Sequence, residues 1–463
     1  MFLSNYKNKI SKLSLSKFSF KEYIVLLLSL LFFIYSFFSS NVPQKIEFYH
    51  YLMVLISLSI FILTLFATAN IFKLSFLKQN TLFIIFLLII IYGIYLGFEN
   101  NNSIKNIARD VISVSSIFTI FITIYLSQKN NNLLRFVFKL LVFTGLIFSF
   151  RAALFYYFNL DHGAYPEGDI MYVSKYYFLY LENTIVCSLI YFSVKIFDKV
   201  RKKNFSRMLL HVALLYFPLF VVTEYILRGP IFFSFVAIFI YTLHTNKLKS
   251  LLFPFLFLSC FLNLFFAILL FILYYFIYNI NYRYIQYSLI VILFIFLIDH
   301  IFVYEYLKSD LTHDFAQINS IYSKVTQTGF NNRGTEFIYF LDKIENNYFD
   351  FKALGLGSLV YNPLNESNVL FVHNFSLFYA YKMGLIGFIF SLIFILILIR
   401  KTFLISRNFS YQETEDKYIY VCSIGTLLYP LFFSATYKSF TFGFLIAIYI
   451  SLNICIDHGK SIK

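Results

Sequence analysis

Apolar runs long enough to cross a membrane recur along almost the whole chain. Of its 463 residues, 60% are hydrophobic and only 13% are charged. Soluble domains are about 45–50% apolar and about 25% charged, so this balance excludes a soluble globular protein. We predict an all-α, polytopic integral membrane protein, because a helix satisfies its own backbone hydrogen bonds inside a bilayer.

The apolar runs predict about 12–14 transmembrane helices, since one span needs roughly 20 apolar residues. The first run is followed by many others, so we interpret it as an uncleaved helix rather than a signal peptide. Leu251–Ile280 is too long for one span and short for two; we favour a short hairpin over one crossing with a re-entrant piece. The other candidate spans are Tyr23–Phe38, His50–Thr68, Thr81–Phe98, Ile107–Ser127, Leu134–Tyr156, Tyr176–Phe197, Met208–Val222, Pro230–Leu243, Ile285–Val303, Val372–Ile399, Tyr418–Phe433 and Phe440–Cys455.

The net charge of +15 is concentrated in alternate linkers, such as Lys199–Lys203 and Arg400–Lys417. Lys and Arg collect in cytoplasmic loops, so the excess charge reports topology, and we predict no nucleic-acid partner. Both termini are then cytoplasmic, and the acidic segment from Glu305 to Val372 is one large extracytoplasmic loop. The predicted division is an N-terminal helix bundle (1–304), this loop (305–372) and C-terminal helices (373–463).

The stretch from Asn331 to Phe390 differs from the rest of the chain because it is polar and then enters a span. Phe337, Phe340, Leu341 and Ile344 have helical spacing, which predicts an amphipathic helix. The sequence Gly355-Leu356-Gly357 then predicts a turn. Polar backbone at a membrane surface needs water or protein partners, so we interpret this stretch as one wall of an active site.

Basic residues near the predicted outer face are candidates for binding an anionic lipid headgroup. They are Arg109, Arg151, Arg228 and Arg333. An arginine near a membrane is costly and often lines a functional cavity, and its planar fork suits phosphate oxygens. The alternative is simple ion pairing with Asp110, Glu182 or Glu224.

The pair His373-Asn374 stands at the predicted mouth of a span, where His373 is a candidate catalytic residue and Asn374 a candidate substrate-binding residue. A neutral histidine can take a proton from a sugar hydroxyl near neutral pH, although a lone histidine can equally be structural. Asp161 and Glu167, in the loop after the fifth span, are candidates for binding sugar hydroxyls; the alternative is a solvated loop. The chain has no nucleotide-binding motif and no aspartate pair for a metal-bound sugar nucleotide, so we predict neither cofactor nor metal.

Three motifs in order resemble the O-antigen ligase/polymerase superfamily of bacterial envelope glycosyltransferases. The first is an Arg-Gly turn that opens a span, LRGPIFFSFVAIFIY. The second is an arginine-led loop helix followed by a GxG turn, NNRGTEFIYFLDKI and LGLGS. The third is a His-Asn pair that enters a span with two glycines, HNFSLFYAYKMGLIG. The similarity covers about Tyr225 to Leu396.

The resemblance implies metal-independent glycosyl transfer on the periplasmic face of the bacterial inner membrane. Arg228 and Arg333 would hold the diphosphate of a polyprenyl-linked oligosaccharide, and His373 would help activate the acceptor hydroxyl. The implied function is polymerisation of O-antigen or related repeat units, with a flippase and a chain-length regulator as possible partners. The alternative is the ligase that moves glycan to lipid A-core. A flippase or other transporter is disfavoured, because the sequence shows neither repeats nor broken helices with polar sites at the midplane.

Overall fold

The computed structural model describes residues 81–111, 131–158, 182–224, 228–244, 250–259, 264–279, 353–362, 367–369, 374–432 and 440–452, with a few isolated positions elsewhere. This part of the chain is almost entirely helical. Its helices are α1 (Thr81–Glu99), α2 (Asn131–Tyr157), α3 (Glu182–Arg201), α4 (Phe205–Glu224), α5 (Arg228–Leu243), α6 (Leu252–Ser259), α7 (Leu264–Asn279), α8 (Phe375–Arg407), α9 (Thr414–Phe432) and α10 (Phe440–Ser451).

The predicted all-α class holds for these residues with one small exception. Strands β1 (Val360–Asn362) and β2 (Ser367–Val369) form an antiparallel hairpin in which Val360 faces Val369. This hairpin lies in the predicted extracytoplasmic loop, directly before α8.

Three of the described helices are long and apolar enough to cross a membrane: Asn132–Leu154, Phe205–Val222 and Phe375–Arg407. These helices identify the chain as a membrane-associated helical protein. The total number of spans, the sidedness of the loop and the division at residues 304 and 372 stay predictions.

Helix α3 is the centre of the bundle and contacts α2, α4, α5, α7, α9 and α10. Its crossing with α2 is close because small residues meet there. A Cβ added to Gly145 would lie 2.1 Å from the carbonyl oxygen of Thr184, so only glycine permits this approach. Close backbone contact at small residues is the usual way in which membrane helices pack, since lipid provides no hydrophobic force between them.

Several helix termini meet at one end of the bundle, which we call the basic end. Arg135, near the start of α2, binds Asp416 in α9 through two nitrogen–oxygen contacts of 2.8 and 2.9 Å. Asp198, near the end of α3, accepts hydrogen bonds from the hydroxyls of Tyr241 and Tyr418. The basic linkers around Lys199–Lys203 and Arg400–Lys417 therefore belong to one end, as the charge pattern predicts.

The ambiguous stretch Leu251–Ile280 contains two helices, α6 and α7, which pack against each other. The stretch therefore holds two packed helices, while the choice between two crossings and one crossing with a re-entrant piece stays a prediction. Helix α6 spans only about 12 Å, given the rise per residue of a helix, which is too short to cross a bilayer. Asn279, at the end of α7, donates a hydrogen bond of 3.3 Å to the carbonyl oxygen of Val200 at the basic end.

Helix α8 is not one straight rod, because Gly384 breaks it with φ +64° and ψ −155°. The rings of Phe375 and Phe394 have centroids 5.8 Å apart, whereas a straight helix would place these residues about 28 Å apart. Tyr379 and Phe390 pair in the same way at 6.1 Å. The helix therefore folds back on itself, as a short arm (residues 375–383) against a long arm (residues 385–407).

This reversal corrects two predictions. The run Val372–Ile399 is not a single span, and the chain does contain a broken helix. The long arm alone is about 34 Å long, enough to cross a bilayer. The hydropathy of the run gives no sign of the reversal, because a single glycine makes the turn inside an unbroken apolar sequence.

Candidate functional site

The predicted Gly-Leu-Gly turn forms a compact loop at the end of the bundle opposite the basic end; we call residues 354–358 the GLG loop. Gly355 and Gly357 have φ values of +75° and +82°, a region in which other residues are strained. A Cβ at Gly355 would lie 2.3 Å from the backbone nitrogen of Gly97, and one at Gly357 would lie 2.6 Å from that of Ile107. Both glycines are thus required by conformation and by space.

The GLG loop is seated on the end of helix α1. The Leu356 side chain is fully buried, and its backbone N–H donates to the carbonyl oxygen of Gly93 at 2.8 Å. The side-chain amide of Asn102 donates to the carbonyl oxygens of Leu354 and Leu356 at 2.9 and 3.0 Å. Asn100 donates likewise to Ala353 at 3.1 Å.

The same loop also closes on the short arm of α8. A helix break leaves carbonyl groups without their intrahelical partners, and these need other donors. Here the backbone N–H of Leu354 donates to the carbonyl oxygen of Tyr381 at 2.9 Å, and that of Gly355 donates to Lys382 at 3.0 Å. The loop therefore supplies hydrogen bonds that the break at Gly384 removes.

A buried ion pair completes this contact. The Nζ atom of Lys382 lies 2.8 Å from Oδ2 of Asp110, and the two side chains are 0% and 1% exposed. The same Oδ2 atom accepts a hydrogen bond of 2.8 Å from the backbone N–H of Gly357. Lys382 also donates to the carbonyl oxygen of Ser358. Two charged groups thus join the GLG loop, the short arm and the helical stretch 104–111.

The position of Asn374 differs from the sequence prediction. Asn374 caps the short arm, and its side-chain oxygen accepts a hydrogen bond of 3.1 Å from the backbone N–H of Leu377. The next residue, Phe375, contacts Phe394, which is about 15 Å along the long arm from Gly384. The start of the short arm is therefore level with the middle of the long arm, not at the mouth of a span.

The predicted loop helix contributes one buried aromatic residue to the site. Phe340 is 2% exposed and packs edge-on against Tyr381 of the short arm, with ring centroids 5.3 Å apart. Leu341, placed by its spacing on the same apolar face, is instead 45% exposed. The helix therefore docks on the short arm through Phe340, and the predicted face is correct only in part.

The other candidate residues fall into two groups. Arg109 adjoins Asp110 and is half-buried, so it lies beside the GLG loop. Arg151 is half-buried in α2, and Arg228 begins α5. The side chain of Arg228 and the residues Asp161, Glu167, Arg333 and His373 lie outside the described residues.

Sequence reasoning missed the importance of Asp110 and Lys382. Asp110 entered only as an ion-pair partner for an arginine, and Lys382 was not considered. The signal was present, because a lone lysine within an apolar run is costly in a membrane and marks a buried partner or a functional site. Within the described residues, no three His, Cys, Asp or Glu side chains cluster as metal ligands would.

Comparison of the chain with protein-family models, with curated proteins and with solved structures finds no match. The fold and the site define a helical membrane protein in which the GLG loop docks on a broken helix.

Proposed function

We propose that the protein is a periplasmic glycosyltransferase that joins polyprenyl-diphosphate-linked oligosaccharide repeat units into a surface polysaccharide such as O-antigen. The observation that carries the proposal is the direct packing of two of the three motifs. The backbone of the GLG loop donates hydrogen bonds to the carbonyl oxygens of Tyr381 and Lys382 in the short arm. This arm begins immediately after the His-Asn pair. The second and third motifs, which only residues 359–372 separate in the sequence, are thus parts of one structure.

The reaction requires a stable leaving group and an activated acceptor. The acceptor hydroxyl attacks the anomeric carbon, the bond from that carbon to the diphosphate breaks, and polyprenyl diphosphate leaves. Arg228 and Arg333 would bind the growing negative charge, because preorganised guanidinium groups stabilise such charge strongly in a dry site. His373 would accept the proton of the hydroxyl.

The remaining candidates would hold the substrate. Arg109, beside the GLG loop, and Arg151 would contact the anionic headgroup, while Asp161 and Glu167 would bind sugar hydroxyls. Asn374 has a defined structural role as the cap of the short arm. It would therefore act by fixing the backbone next to His373. A flippase that delivers the repeat units and a chain-length regulator are the expected partners.

The ligase that transfers glycan to lipid A-core is the nearest alternative, since it uses the same donor and the same motifs. The two enzymes differ in the acceptor that enters the site.

Transport is a second alternative, and the break at Gly384 favours it more than the sequence does, because transporters often bind substrates at broken helices. In this chain, however, the break is filled. All residues of the short arm are buried, and the GLG loop occupies two of its carbonyl groups. Because the break is filled, it fits a static structural element better than a pathway for a transported substrate.

The arginine contacts give the most direct test of the proposed chemistry. Replacing Arg333 by Ala removes a charged contact to the diphosphate, which should cost about 3 kcal/mol, or roughly a hundredfold in polymerisation rate. Arg333→Lys should recover only part of this loss, because lysine lacks the bidentate fork. The measurement is polymer formation by purified protein from lipid-linked repeat units, at matched protein amounts. Wild-type polymer from Arg333→Ala would remove this residue from the site.

A further inference from the structure

The buried pair Asp110–Lys382 has no part in the glycosyl transfer proposed above, yet it joins three segments. Asp110 lies in the helical stretch 104–111 and binds both Lys382 and the backbone of Gly357. Lys382 belongs to the short arm and binds the backbone of Ser358. Each charged side chain therefore contacts both the other charge and the GLG loop.

The surrounding packing leaves the loop no room for small displacements. Gly355 and Gly357 approach the backbone of Gly97 and Ile107 too closely for any side chain. Leu356 is fully buried between these contacts. The loop is consequently either seated in this one position or detached from it.

The energetic balance of the pair indicates a role other than stability. Removing two charges from water is costly, and well-packed apolar residues in the same place are often at least as stabilising. Removing only one partner destabilises the folded protein strongly, since it leaves a buried charge without its counter-charge. Ionisable groups at such positions in membrane proteins usually serve a specific function.

We propose that Asp110 and Lys382 are positioning residues that hold the GLG loop against the short arm. The loop is continuous with the segment that contains Phe340, which docks on Tyr381. A seated loop thus fixes Phe340, which follows Arg333 by seven residues in the sequence, relative to the start of the short arm at Asn374. The consequence for catalysis rests on the proposed glycosyltransferase function; the holding of the loop does not.

The position of the loop is measured by cysteine labelling. In a background with the four native cysteines replaced by alanine, Leu356→Cys is buried and should react with a water-soluble maleimide only when the loop detaches. Leu354→Cys, at a position that is 36% exposed, should react in every background and is the control. We expect Leu356→Cys to be protected with the ion pair intact and labelled when Lys382→Met is added.

Catalysis is measured on a matched set of variants. Because Lys382→Met leaves a buried carboxylate, the double variant Asp110→Leu/Lys382→Met is included; it should restore the protein amount. We expect it to remain labelled at Leu356→Cys and to lose polymer formation about a hundredfold, the effect of misplacing a catalytic group by about 1 Å. Lys382→Arg should retain both protection and polymer. Lys401 is a partly buried lysine at the basic end, and it donates a hydrogen bond to the carbonyl oxygen of Ile450. The control variant Lys401→Met should therefore give wild-type labelling and polymer formation.

Three results would overturn the proposal. Protection of Leu356→Cys in the double variant, or its labelling with the pair intact, would show that the pair does not hold the loop. Labelling of the double variant together with full polymer formation would show that the held loop does not position the reaction. If the unmodified protein makes no polymer, the proposed function fails, and the labelling still decides whether the pair holds the loop.

Discussion

At the scale of single residues, two glycines determine whether the site can form. The φ values of Gly355 and Gly357 and their contacts with backbone nitrogen atoms leave no space for a methyl group. Gly355→Ala should therefore destabilise the folded protein by about 1–3 kcal/mol, the usual cost of forcing a residue into a disfavoured backbone region. The measurement is the thermal unfolding midpoint of purified protein in detergent.

A matched glycine supplies the control. A Cβ at Gly93 would meet Cε of Met383 at 2.9 Å, a flexible side-chain end that can move away, and Cγ of Leu356 at 3.1 Å, a much milder contact than the backbone contact of 2.3 Å at Gly355. Gly93→Ala should consequently lower the midpoint much less than Gly355→Ala. Equal midpoints for the two variants would mean that the GLG loop is not seated on α1 as described.

At the scale of elements, the folded-back form of α8 predicts that Gly387→Ala destabilises the protein, whereas a straight helix predicts that the same substitution stabilises it. In a straight helix, Gly→Ala stabilises by up to about 1 kcal/mol. In the folded-back form, a Cβ at Gly387 would lie 2.4 Å from the carbonyl oxygen of Tyr379 on the short arm. Gly387→Ala should thus destabilise by about 1–3 kcal/mol, as overpacking does. A raised unfolding midpoint for this variant would contradict the reversal.

The helices themselves could be predicted from the sequence, because membrane spans depend on hydropathy and length. Charge clusters such as Lys199–Lys203 also predicted correctly which linkers share one end. The Gly-Leu-Gly turn was predictable because glycine is the residue that adopts positive φ easily.

The arrangement of the site was harder to predict, for physical reasons. A reversal at Gly384 depends on two backbone angles of one residue and leaves the apolar run intact. The pairing of Lys382 with Asp110 joins segments far apart in the chain, and no local pattern reports it. A lone lysine between Tyr381 and Met383 was nevertheless a local signal of a buried partner, and sequence reasoning did not use it. Arg333 and His373 stay predictions from the sequence.

At the scale of the whole molecule, the basic end sets the expected orientation. Arg135, Asp198 and the linker after α8 meet there, and the GLG loop lies at the other end. The positive-inside rule places the basic end in the cytoplasm and the loop outside. A reporter fused near Asn331 should be active only if the reporter depends on export, and one fused at either terminus only if it depends on the cytoplasm. The reverse pattern would exclude a periplasmic site.

The central claim is that the protein polymerises lipid-linked repeat units, and the glycan ladder of a deletion strain tests it most directly. Without a polymerase the ligase still acts, so we predict a single repeat unit on the lipid A-core, and the same from His373→Ala if that side chain is the base. A bare core with polymer on the polyprenyl carrier would identify the ligase instead. Repeat units retained on the cytoplasmic leaflet would identify a flippase, and an unchanged ladder would contradict every form of the claim.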